Sequence, residues 1–398
     1  MAPTCDRACA IANPTSIPPS RIPRVAGAVL YRRRMPRLLL RRHPPSGTAP
    51  PDIRKAKAGG QMTLSRGQLM FIWARRVLVG VVALVAIAVC TGMAYEQWSR
   101  RQVARDFPPP GRLVEHGGRL SHLSCMGNGS PTVILEAGLD TDGSQTWAGI
   151  QPQIAADAET RVCSYDRAGI LWSEPREEPR NADRIAGELH GLLDAAAEPP
   201  PYVIVAHSLG GPLVRVYSER YPGEVAGFVF VDAAHPEQYS RYPDEVLQIL
   251  AAVDSQLPDR RFMKVSVATG IYRLVTPSRG DAIGAYLWRT VPWGFSGERE
   301  ARDATFDQAD ETGTLGDRPL VVLTAGVGPR LPGVTDEVQD AFYETWLILQ
   351  AELAALSTNS RHRIVDGATH YIHHDEPDAV IAAVRDVVDA VRGGMPLR

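Results

Sequence analysis

The sequence predicts an α/β protein with a mostly parallel sheet. Three observations point to it. From about residue 110 onward, short apolar runs alternate with helical stretches. The run Tyr202-Val-Ile-Val-Ala206 is continuously apolar and rich in β-branched residues, as a strand buried on both faces requires. That run passes through His207-Ser208-Leu209-Gly210 into a helix expected from Leu213 to Tyr221, stopped by Pro222. Strand, sharp turn and helix follow one another with a serine at the apex.

A chain of 398 residues could hold two average domains, but α/β folds often form one unit of 250 to 300 residues. Its hydrophobic content of 44% is that of a globular protein, and the net charge of -2 gives no support for nucleic-acid binding by the body of the chain. The charge is uneven, however. Before about Gly60 the chain carries Arg32-Arg33-Arg34 and Arg41-Arg42 among other cations, against only Asp6 and Asp52. This Pro-, Arg- and Ala-rich stretch has no apolar period, so residues 1–76 are expected to be a disordered basic tail. Three readings stay open for it: a cytoplasmic tail, a contact with nucleic acid or anionic lipid, or sequence upstream of a true start at Met62.

The uncharged run Val77–Tyr95 is flanked by Arg75-Arg76 and by Glu96, Arg100 and Arg101. At helical rise it spans about 28 Å, close to the hydrocarbon core of a bilayer. A membrane anchor over 77–95 is expected, with a cleaved signal peptide as the rival, and a linker over 96–110 that ends in Phe107-Pro-Pro-Pro-Gly111. With the basic tail counted, the positive-inside rule leaves the N-terminus in the cytoplasm and the globular part outside, at the cell membrane. Cys125 and Cys163 belong to that globular part, an even number. Two buried thiols or one bridge would both satisfy the count. A bridge would stabilise the fold by roughly 3 to 4 kcal/mol on the chain-entropy model.

The remaining elements follow in order. Strands are expected at Arg112–Glu115 and Arg119–Cys125 around a His116-Gly117-Gly118 turn, then at Thr132–Glu136 and Arg161–Tyr165. Asn181 can cap a helix whose Ile185, Leu189, Leu192 and Leu193 share one face. After the serine unit come a strand at Gly227–Asp232, an irregular and partly helical cap over about 236–317, and a strand at Pro319–Thr324. Trp288, Val291, Trp293 and Phe295 read as exposed apolar groups of that cap. A helix from Asp336 to about Leu356, a strand at His362–Val365 and a last helix from Pro377 to about Arg392 complete the chain.

The chemistry of the serine turn explains its residues. A serine hydroxyl is a weak nucleophile and must stand clear of the sheet for a histidine to reach it. Small residues are needed two before and two after it; Gly210 meets the rule and Ala206 departs from it mildly. The N–H of Leu209 at the helix start is then a candidate oxyanion donor. A close-packing turn without chemistry would use the same residues, so the neighbours decide.

Those neighbours resemble the α/β-hydrolase superfamily from about residue 110 to the end, nearest its serine esterase and lipase branch. The matching pieces are Ala206-His-Ser-Leu-Gly-Gly211, Ser164-Tyr-Asp-Arg-Ala-Gly169 with Trp172-Ser173, and Gly367-Ala-Thr-His-Tyr371. The resemblance implies an eight-stranded, mostly parallel sheet with helices on both faces. It implies that the second and fourth strands are neighbours, which makes a Cys125–Cys163 disulfide sensible. It also implies roles: Ser208 as nucleophile, His370 as general base, and a second oxyanion donor from the loop after the third strand, here the N–H of Leu139. His373 and His374 are close rivals for the base, and His207 is expected to shape the pocket.

The acid is the open choice. The loop after Val321–Thr324, where most members carry it, has no carboxylate before Asp336. Asp232 ends the preceding strand, where other members carry theirs, and is preferred to Asp336; Asp166 belongs to the Tyr-Asp-Arg turn. His370, His373 and His374 lack a regular ligand spacing, so neither a metal nor another cofactor is expected.

A serine nucleophile separates the chain from members that attack through aspartate. The expected function is a membrane-anchored serine hydrolase acting on an apolar ester through an acyl-enzyme. The alternatives are a thioesterase, a peptidase, a C–C hydrolase, a haloperoxidase-like activity, or a non-catalytic binding module on the same fold.

Overall fold

The computed structural model describes residues 65–397, apart from 177, 178, 257 and 277–279. Among the described residues eight strands form one sheet: β1 (Arg112–His116), β2 (Arg119–Met126), β3 (Thr132–Glu136), β4 (Val162–Tyr165), β5 (Tyr202–His207), β6 (Val225–Val231), β7 (Leu320–Ala325) and β8 (Ser360–Val365). Their order is β1-β2-β4-β3-β5-β6-β7-β8. β2 pairs antiparallel with β1 and β4, and the six strands from β4 to β8 run parallel. The exchange of β3 and β4 makes the second and fourth strands neighbours, with Cys125 directly opposite Cys163 and the two joined in a disulfide.

The helices are α1 (Arg66–Asp106), α2 (Gln151–Asp157), α3 (Ala182–Ala195), α4 (Gly210–Arg220), α5 (Gln238–Arg241), α6 (Asp244–Ser255), α7 (Arg260–Ala268), α8 (Ile271–Val275), α9 (Ala282–Arg289), α10 (Ser296–Glu300), α11 (Arg302–Asp310), α12 (Asp336–Ala354), α13 (Ile372–Asp375) and α14 (Pro377–Gly393). A π-helical turn, Thr290–Phe295, joins α9 to α10. Strand alternation sends successive side chains to opposite faces of the sheet. Ile134, Ile204, Phe228, Phe230 and Val322 pack with α3 and α4 on one face. Val133, Val203, Val205, Val229 and Val321 pack with α2 and α14 on the other. Each fully buried Val or Ile contributes about 1.5–3 kcal/mol of transfer free energy, so both layers hold the sheet rigid under the loops at its end.

Asn181 caps α3 by accepting from the Arg184 N–H, as its sequence suggests. α4 begins at Gly210, three residues before the expected start, because the elbow glycines are themselves helical.

The expected linker over 96–110 is corrected. α1 continues without a break to Asp106, so the non-helical connection begins only at Phe107. Buried Glu96 helps hold this polar stretch in the helix: it accepts from Arg100 Nε one turn along α1 at 2.8 Å and, as a tertiary contact, from Arg273 Nε at 2.5 Å. Residues 66–76, expected in the disordered tail, are helical too, while the rest of that tail and Met62 lie outside the described residues. α1 is long and apolar enough to cross a membrane, and none of its most apolar window is buried in protein.

The insertion between β6 and β7 is all-helical, from α5 to α11. Its apolar groups are not where the sequence suggested. Trp288 is buried beneath the Arg100 guanidinium, 4.1 Å from the ring centre, and Val291, Trp293 and Phe295 are half-covered. The exposed apolar side chains of the cap are instead Val253 on α6, Phe262 and Val265 on α7, and Ile271, Leu274 and Val275 on α8.

Candidate active site

β5 ends at His207 and α4 starts at Gly210, so Ser208 sits at the bend between them. Its backbone lies in the left-handed region at φ 51°, a conformation costly for a residue with a β-carbon. Hydrogen bonds hold it there. Its N–H donates to Val231 O at 3.3 Å, while the N–H groups of Ala234 and Gly211 donate to its carbonyl at 2.8 and 3.0 Å. His207 and Leu209 are buried on either side, and Ser208 is more open than both. A β-carbon at Gly210 would lie 3.0 Å from Glu136 Cγ and 3.1 Å from Glu136 O, which is why the residue two after the serine must be small.

Asp232 follows the last residue of β6, also with a positive φ of 44°. Its carboxylate is buried and uses both oxygens. Oδ1 accepts from the Ala325 N–H at 3.0 Å and from Trp346 Nε1–H at 2.9 Å. Oδ2 lies 2.7 Å from His370 Nδ1, which fixes the tautomer that leaves Nε2 facing away from the acid. Ser208, Asp232 and His370 line one cavity of about 280 Å³, walled by Tyr239, Tyr242, Leu250, Phe342 and Tyr343. Asp336, the alternative acid, is not part of it. It is fully exposed at the start of α12, 3.7 Å from Arg330.

The other histidines take supporting positions. Buried His207 donates from Nε2 to the His370 carbonyl at 3.0 Å, and burial, then the neighbouring His370 and His373, push its pKa well below the ordinary histidine value. His373 contacts Thr146 Oγ1 at 2.9 Å, and burial lowers its pKa to about 3. His374 bonds to the Thr146 carbonyl at 3.0 Å. Asp166 is engaged with His122 Nδ1 and with the N–H groups of Ser144 and Trp172, as befits a turn-fixing residue.

The loop after β3 carries Leu139, which is half-buried against the core. Gly138 brings this loop against the elbow, since a β-carbon there would lie 2.9 Å from His207 Nδ1 and 3.0 Å from Ser208 Cβ. Sequence reading passed over the residue that holds the loop. Arg167 donates to Ala137 O at 2.7 Å and Gly138 O at 2.6 Å, and it pairs with buried Glu136 and with Glu298 of α10. Tyr165 OH also donates to Glu136. Burial pushes the Glu136 carboxyl up, against the pull of Arg167 and Tyr165. Its position inside Ser-Tyr-Asp-Arg-Ala-Gly was a signal for Arg167, whereas nothing local marked Trp346.

Two groups among the described residues lie close enough to share an ion. One contains the disulfide cysteines. In the other, Arg241 already sits 3.3 Å from Glu237 and 2.5 Å from Glu352. Neither touches the cavity that holds Ser208.

The comparisons agree with this architecture. The α/β-hydrolase-fold family profile matches residues 131–275. Uncharacterized protein YqjL of Bacillus subtilis is 26% identical over 263 residues, covering 66% of this chain and 85% of its own. Esterase YbfF of Escherichia coli is 22% identical over 231 residues, covering 53% and 76%. Among solved structures, a putative acyltransferase from Salmonella enterica superposes with a TM-score of 0.51 at 20% identity, over 71% of this chain and 97% of that one. The strand order, the serine elbow between β5 and α4, and these matches give the chain the α/β-hydrolase fold.

Proposed function

We propose that the protein is a membrane-anchored serine hydrolase that cleaves a carboxylic ester through an acyl-enzyme. The observation that carries this reading is the 2.7 Å contact between buried Asp232 and His370 in the cavity that also contains Ser208. A mere binding pocket has no need of a carboxylate–imidazole pair beside a serine on a strained turn.

In this mechanism Ser208 Oγ attacks the ester carbonyl as His370 Nε2 takes its proton, and Asp232 steadies the imidazolium through Nδ1–H. The N–H groups of Leu209 and Leu139 are the proposed donors to the oxyanion. His370 then returns the proton to the departing alcohol. A water molecule, deprotonated by the same imidazole, releases the carboxylic acid and frees Ser208. The aromatic wall and a volume near the lower bound of roughly 300 Å³ for ligand pockets favour a small apolar acyl group. The E. coli relative named an esterase supports ester cleavage.

α1 serves as the single-pass anchor in this reading. The disulfide supports an extracytoplasmic hydrolase domain, because such bridges persist in oxidising compartments.

Hydrolysis of p-nitrophenyl esters of increasing chain length tests the proposal. Asp232→Asn should lower kcat by about 10²–10⁴-fold, whereas Asp336→Asn should leave it unchanged. Equal losses in the two variants, or no ester turnover by the wild type, would reject the triad and favour a non-catalytic pocket.

A further inference from the structure

Among the places where α1 meets the cap, one fixes the cap's height. Gly92 lies within the apolar run Val77–Tyr95, three residues and about 4.5 Å of helical rise from its end. The turn between α7 and α8 rests on it. A β-carbon at Gly92 would collide with the Thr269 carbonyl, and one at Gly270, where φ is 76°, would lie 2.6 Å from Gly92 O. Two backbones therefore touch with no side chain between them. One helical turn further on, buried Glu96 accepts from Arg273 of α8 and from Arg100. Arg100 lies over the Trp288 ring of α9. These contacts set α7 and α8 level with the last turn of the apolar run, where hydrocarbon gives way to headgroups.

Among the described residues, the same two helices carry five of the cap's six exposed large apolar side chains, the sixth being Val253 on α6. Phe262 and Val265 stand on α7, and Ile271, Leu274 and Val275 on α8, all exposed. Leu274 is 80% exposed, more than Leu84 at 68% in the middle of the apolar run. A cluster of this kind marks an interaction surface rather than ordinary protein–water boundary.

We propose that α7 and α8 form a second membrane contact, their apolar face lying in the interfacial layer of the bilayer that α1 crosses. The partner is lipid: acyl chains meet Phe262, Val265, Ile271, Leu274 and Val275, in the manner of an interfacial amphipathic helix. The cap is thereby held against the membrane surface in one orientation. The inference rests on the reading of α1 as a membrane-crossing helix, and the test separates the two.

Single-cysteine variants of the full chain answer it, in a background of Cys5→Ser, Cys9→Ser and Cys90→Ser that leaves the disulfide intact. Phe262→Cys, Leu274→Cys, Leu84→Cys and Asp389→Cys would be labelled with bimane in proteoliposomes. Each would be quenched in turn by chain-nitroxide lipid and by aqueous iodide. Lipid quenching with loss of iodide quenching at 262 and 274, and the opposite at 389, is the expected result. Iodide quenching at 262 and 274 while Leu84→Cys is lipid-quenched overturns the inference alone. Shielding of 262 and 274 from both quenchers also overturns it, since protein, such as a second copy of the chain, would then cover the face. Absence of lipid quenching at 84 overturns the membrane reading of α1 and the inference with it.

Discussion

Replacing Arg167 with methionine removes five hydrogen bonds in one step, two to Glu298, one to Glu136 and one each to the carbonyls of Ala137 and Gly138. The two carboxylates stay buried, at 1% and 0% side-chain exposure, and lose their counter-charge. Removing one partner of a buried ion pair costs about 3–5 kcal/mol, and here both orphans argue for the upper end. That is a large share of the ~5–15 kcal/mol that holds a domain together. Urea unfolding of the detergent-solubilised full chain at pH 7, followed by tryptophan fluorescence, measures the loss. Adding Glu298→Gln to Arg167→Met removes one of the stranded charges and should recover about 1–3 kcal/mol. A loss below about 1 kcal/mol for Arg167→Met would refute the argument. So would a double variant no more stable than the single, because both results deny that stranded charge sets the cost.

Burial raises the Asp140 carboxyl from its ordinary 3.8 to about 6, while Arg167 and the N–H groups of Asp142 and Gly143 pull the other way. The folded state therefore binds its proton more tightly, and wild-type stability from this group falls by up to about 3 kcal/mol as pH rises from about 4 to about 6. Asp140→Asn keeps an oxygen acceptor and should remove that loss, read as a gain over wild type at pH 8 that vanishes near pH 4. His207 and His373, depressed by burial, pull oppositely, losing stability as pH falls below about 6.5, so the comparison must be with wild type at each pH. For the disulfide, whose cysteines are 38 residues apart, the chain-entropy model gives about 4 kcal/mol. Cys125→Ser with Cys163→Ser should lower the urea midpoint accordingly, and dithiothreitol should then shift wild type but not the variant.

The strands and the helices with a regular apolar face were legible because burial on the sheet writes a local pattern. Val203, Val205, Phe228 and Phe230 are apolar for that reason alone. Asp232 could be singled out only because the α/β-hydrolase resemblance implies an acid at that strand end. What holds Asp232 could not, since Trp346 comes 114 residues later on a helix whose pattern says only that it packs. The polar end of α1 looked like a linker because its helical state depends on Arg273 and Trp288, far along the chain. Trp288 itself looked exposed because residue type cannot say that an arginine from another helix will cover it. The left-handed backbone at Ser208 and Asp232 is likewise set by bonds to neighbouring strands, not by the residues themselves.

The most direct test of the account is covalent. The full chain would be treated with a fluorophosphonate, digested, and the adduct located by mass spectrometry. The account predicts one adduct on Ser208, blocked by prior incubation with a slowly hydrolysed ester and absent from Ser208→Ala, which should fold as wild type does. An unlabelled wild type, or an adduct that persists in Ser208→Ala, would contradict it.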